Sequence, residues 1–110
     1  MRQNVTVDQL LKSPDGSLTH PKGRNIPFPQ NVTVLGWLRL SSHRWMLVVR
    51  DELAPPLRPL RVMTTDAEMV SAPMTDGEVV EAFIYFRARP DRLTEKLHQA
   101  RGDFSVAGSW

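Results

Sequence analysis

The chain contains no cysteine. That absence excludes disulfide scaffolds, thiolate metal sites and cysteine nucleophiles. Aromatic residues are sparse, at 7%, with a single tyrosine. No apolar run approaches the roughly 18–20 residues that cross a bilayer, and the opening Met1-Arg2-Gln3-Asn4 lacks the apolar stretch of a signal peptide. A cytoplasmic protein without membrane contact is therefore expected, and the sequons at 4–6 and 31–33 carry no weight. There is no phosphate-cradling glycine loop and no Gly-X-Ser-X-Gly elbow. Positive charge is missing from one long stretch. Residues 65–81 hold Asp66, Glu68, Asp76, Glu78 and Glu81 with no Lys or Arg.

What is present is banded. Residues 31–64 carry Arg39, Arg44, Arg50, Arg58 and Arg61 against only Asp51 and Glu52. Residues 87–101 turn basic again, with Arg87, Arg89, Arg92, Lys96 and Arg101 against Asp91 and Glu95. A formal net charge of +2 hides this alternation. Banded charge gives a molecule distinct electrostatic faces, and such faces select partners. Eleven of the fourteen basic residues are Arg, whose planar guanidinium meets phosphate and carboxylate at two points and stacks on rings. A length of 110 residues implies one domain, 1–110, with a modest core.

The local signals give an α+β order. Thr6 with Gln9 makes a capping box, Val5 and Leu10 sit where a hydrophobic staple would, and Pro14 stops the helix, which places it at 7–12. Residues 13–30 read as a long irregular loop. Residues 32–50 read as a β-hairpin in which both faces carry apolar residues, followed by a strand at 59–64 behind Pro55, Pro56 and Pro59. Thr65 to Glu68 repeats the capping-box spacing and predicts a short helix at 66–71. Residues 78–88 alternate as the longest strand, with Val80, Ala82, Ile84 and Phe86 on one face. A second helix is expected at 90–101, a short strand at 104–106, and a tail over 103–110. The expected core is Val34, Leu38, Leu47, Val49, Val62, Val80, Phe83 and Ile84. A sheet apolar on both faces is one that bends strongly and closes on itself.

Three strands, a short helix and another strand, with Gly36 in the middle of Val34-Leu35-Gly36-Trp37-Leu38, resemble an OB-fold over residues 31–88. A helix followed by bent strands is also similar to the Sm-like barrel. The first resemblance implies a small antiparallel β-barrel that binds single-stranded nucleic acid through a basic groove with stacking aromatics. The residues that would carry it are Trp37, Arg39, Arg44, Trp45, Arg50, Arg58 and Arg61, joined by Tyr85, Arg87 and Arg89. The competing reading makes Trp37 and Trp45 core residues and the arginines solvated or paired with the acidic stretch. The chain is then a protein-interaction or assembly subunit, an adaptor or inhibitor, that uses an exposed strand edge at 57–64, with self-association open to it. The position of the two tryptophans separates the readings. No enzyme chemistry and no cofactor are expected. His20, His43 and His98 fall on three separate elements, which is not a metal-ligand pattern, and Asp51-Glu52 lacks an identifiable catalytic partner.

Overall fold

A computed structural model describes residues 5–19 and 26–88, with side chains described through residue 85. The helix expected at 90–101, the strand at 104–106 and the tail lie outside the described residues. So do Arg89, His20, His98 and the Arg87 side chain.

The chain begins with helix α1, Val7–Leu11, and its start is built as the sequence implies. The Gln9 N–H donates to Thr6 Oγ1 at 3.2 Å, and the Thr6 N–H donates to Gln9 Oε1 at 2.9 Å, closing the capping box. Val5 packs against the core cluster to which Leu10 belongs. Four strands follow, all antiparallel: β1 (Gly16–Ser17), β2 (Val32–Arg39), β3 (Trp45–Asp51) and β4 (Leu60–Thr64). They lie in the order β1-β2-β3-β4, a simple meander. The chain then forms α2, Asp76–Ala88.

Two expectations are corrected here. The segment 66–71 is not a helix. The Thr64 hydroxyl accepts the Asp66 and Glu68 N–H groups, each at 3.2 Å, and Ala67 adopts a φ of 63°, so the spacing that resembles a cap makes a tight turn. The segment 78–88 is helix, not strand. Thr75 and Glu78 form the capping box that counts: the Glu78 N–H donates to Thr75 Oγ1 at 3.1 Å and the Thr75 N–H to Glu78 Oε1 at 2.9 Å. Asp76 and Glu78 in the first turn suit the helix dipole. Every described residue from 82 to 85 is apolar or aromatic, so alternation and helical spacing both fit it. Burial resolves the two: Val79, Val80, Ala82 and Phe83 are buried while Ile84 is 54% exposed. With its fourth long strand replaced by α2, the sheet among the described residues is open and does not close into a barrel.

The apolar character of both sheet faces has a different cause. Leu38, Met46, Val48, Leu60 and Val62 form one face, and α1 and α2 cover it with Val7, Leu10, Leu11, Val79, Val80 and Phe83. Trp37, Leu47, Val49 and Met63 form the other, flanked by Ile26, Ala67 and Met69. Of the expected core, Leu38, Leu47, Val49, Val62, Val80 and Phe83 are buried, Val34 is half-buried, and Ile84 is outside. Gly36 marks a register shift between Val34 and Gly36. A Cβ there would stand 2.7 Å from Leu11 Cδ1 and 2.8 Å from the Ser17 carbonyl oxygen. The glycine lets α1 sit directly on β2.

Candidate binding surface

The sheet divides the Arg/Trp set. Trp37 is 2% exposed and stacks in register with Leu47 and Met63 across three strands. Trp45 is half-buried in the same cluster. Arg39 faces Trp45 across the β2–β3 register, with a guanidinium nitrogen 3.9 Å from Asp15. Arg44 is exposed in the hairpin turn. Arg61 lies on the Trp37 side of the sheet, donating to Asp51 Oδ2 at 3.2 Å and to the Ser71 carbonyl at 3.0 Å. Arg58 is ion-paired with Glu78. Arg50 falls on the helix-covered side, and Tyr85 is half-buried on α2. These residues therefore do not form one groove. Arg39, Arg44 and Trp45 are brought together at the hairpin tip, while Arg58 is paired with Glu78 on α2 and Arg61 with Asp51 at the end of β3.

The strand edge expected to be free is occupied. The Leu60 N–H donates to the Met74 carbonyl at 3.1 Å, and the Leu60 carbonyl accepts from the Met74 N–H at 2.7 Å. Val62 N–H donates to Ser71 Oγ at 2.8 Å, and its carbonyl accepts from Val70 at 3.0 Å. Thr64 N–H reaches the Glu68 carbonyl at 2.9 Å. Residues 68–74 thus cover β4, and strand addition at 60–64 is blocked.

A different feature takes its place. Residues 52–59, the connection between β3 and β4, project two leucines into solvent: Leu53 is 81% exposed and Leu57 86%. The backbone beneath them is fixed. Asp51, only 5% exposed, accepts the Leu53 N–H at 2.9 Å, the Asn31 amide at 2.7 Å and the Arg61 guanidinium. Burial opposes charge on Asp51, yet these three donors outweigh it and hold the carboxyl below its usual range. Two turns complete the loop, with Ala54 N–H on the Asp51 carbonyl at 3.1 Å and Arg58 N–H on the Pro55 carbonyl at 2.9 Å. Pro56 sits second in the latter turn, where its fixed φ is favoured. Asp51 N–H to the Pro59 carbonyl at 2.8 Å closes the loop's neck. Arg58 ties the loop to Glu78 on α2; burial again opposes the charge, and the guanidinium with the Thr75 N–H lowers the Glu78 carboxyl overall. Asp51 and the prolines were visible in the sequence. The exposure of the leucines is not legible there, since an apolar residue beside prolines reads equally well as buried.

Among the described residues no group of His, Asp and Glu is placed to hold a metal ion, and no helix is long and apolar enough to cross a membrane. Against known proteins, no family model, no curated protein and no solved structure matches the chain. Function has to be read from the surface itself.

Proposed function

We propose that this chain is a non-enzymatic binding module that engages a protein partner through the β3–β4 loop. The observation that carries the reading is the pair Leu53 and Leu57, held in solvent on a loop pinned at both ends by Asp51 and Arg58. Large apolar side chains on a prefixed backbone lose little entropy on docking, which is the character of interface anchors. Burial of Trp37 supports the same side, because it removes a stacking platform from the surface. The experiment is site-specific photocrosslinking in cells, with the photoreactive residue at position 57 or, as a control, at exposed Glu68. A discrete protein adduct is expected at 57 alone, weakened by Leu53→Ala. Equal labelling at both positions overturns the proposal.

A second reading keeps the nucleic-acid expectation and its OB-like resemblance, with a smaller site. What favours it is the tip of the β2–β3 hairpin, where Arg39 faces Trp45 and Arg44 is exposed with no carboxylate partner among the described residues. Single-stranded DNA or RNA bound there would lose affinity with salt at a log–log slope of about −0.7 per phosphate neutralised. Binding that Arg44→Ala weakens and Leu57→Ala leaves intact would put this reading first.

A further inference from the structure

Arg50 is out of place on its strand. Alternation along β3 puts Met46, Val48 and Arg50 on one side of the sheet, and the centre of that side is an apolar layer under α1 and α2. Its register partners are Thr33 and Leu60. The side chain emerges where the layer opens into a groove of about 510 Å³ between α1 and the β3–β4 loop. Buried Val7, Leu11 and Leu60 with half-buried Leu35 form its base, and Leu57 and Pro59 its rim. The groove is therefore continuous with the exposed leucine of the loop.

The charges in the groove are not equivalent. Asp8 is 3.0 Å from Lys12 Nζ. Asp76 accepts the Val7 N–H on both carboxylate oxygens at 3.1 Å, a bond that also satisfies an orphan donor of α1. Both acids are thus engaged by donors of this chain. No described carboxylate stands within ion-pair distance of Arg50. A guanidinium beside an apolar trough selects an occupant that fills the trough and offers paired acceptor oxygens.

We infer that the partner segment engaged by the loop is an apolar peptide stretch bearing a carboxylate, and that Arg50 receives that carboxylate while Leu57 and the groove take the neighbouring apolar side chain. This rests on the protein-binding reading of the loop. The specificity is that of one charge placed at the end of an apolar slot.

The inference is tested by titrating the ¹⁵N-labelled full chain with three short synthetic peptides. They share a Leu/Ala frame and carry Glu, Gln or Lys at its centre. The Glu peptide is expected to shift the amides of Arg50, Leu57 and Leu60 and to bind about tenfold or more tighter than the Gln peptide, the scale of one charge-assisted hydrogen bond. Arg50→Gln should erase that preference and leave apolar binding, while Leu57→Ala should weaken all peptides alike. Equal binding of the Glu and Gln peptides, preference for the Lys peptide, or no shift with any peptide overturns the inference. So does an oligothymidylate that shifts Arg50 where the Glu peptide does not. Crosslinking at position 57 is read separately. An adduct there with no peptide preference ends this inference and leaves the protein-binding reading standing, whereas loss of the adduct ends both.

Discussion

Asp51 shows how one buried charge can shape a surface. Its carboxylate collects the Leu53 N–H, the Asn31 amide and Arg61, so removing it leaves three donors unpaired in a half-buried site. Asp51→Ala is expected to cost about 1–3 kcal/mol in urea unfolding. The sign with pH follows from the lowered carboxyl. Stability from Asp51 is fully present above the unfolded value of about 3.9 and is lost as pH falls through the lower folded value. Acid titration of the unfolding midpoint should therefore fall less steeply in Asp51→Asn than in the parent. Glycines give a second comparison at this scale. A Cβ at Gly16 would lie 2.4 Å from the Leu10 carbonyl oxygen, which is backbone and cannot yield, whereas one at Gly77 meets nothing within 4 Å. Gly16→Ala should destabilise by about 1–3 kcal/mol. Gly77→Ala, in the first turn of α2, should stabilise by up to about 1 kcal/mol by restricting the unfolded chain. A loss of stability at Gly77 would speak against helix there.

At the level of elements, the sequence was most legible where a side chain caps a backbone group or where alternation borders a turn. Thr6 with Gln9 placed α1, and the hairpin and β4 were found within a residue or two at their ends. It was least legible over 76–88. Val79, Val80, Phe83, Ile84 and Tyr85 are β-branched, aromatic or both kinds in series, and they match two periods at once. The deciding signal was Thr75 with Glu78, a cap identical in spacing to Thr65 with Glu68. Only contact with the rest of the molecule tells such twins apart: Asp76 is used by Val7, and Glu78 by Arg58. The corrected element carries its own test. Leu47→Ala should cost about 2–5 kcal/mol. Ile84→Ala, at a position 54% exposed, should cost under about 1 kcal/mol, against the strand expectation that both are core. Thr75→Ala should lose about 0.5–2 kcal/mol through the cap. Equal large losses at Leu47 and Ile84 would restore the strand.

Across the molecule, part of the charge banding is used between neighbouring segments of the described chain. The acidic stretch supplies Glu78 to Arg58 and Asp76 to Val7, and the basic stretch supplies Arg61 to Asp51. A functional surface could not be read from net charge, because Arg58, Arg61, Asp76 and Glu78 hold the loop and helices in place while Arg44 and Arg50 do not. What the surface offers a partner is a pair of exposed leucines beside Arg50, and single exposed leucines leave no trace in composition. The variant Leu53→Ser with Leu57→Ser should keep its unfolding midpoint within about 0.5 kcal/mol of the parent, since neither side chain packs on the core. A larger loss would mean that the leucines serve folding and not a partner.

The bond from Val7 to Asp76 joins positions 69 residues apart. On the ribosome Val7 is made well before Asp76. The first helix is synthesised early, yet its N–H acceptor and half of the layer that buries Leu10 and Leu11 arrive only with α2. The hairpin can pair as soon as it emerges, because its contacts are local. The amino-terminal turn must wait. Nascent chains halted before residue 76 clears the exit tunnel should therefore hold a formed hairpin and an undocked, protease-sensitive amino terminus, and docking should appear in one step once α2 is free.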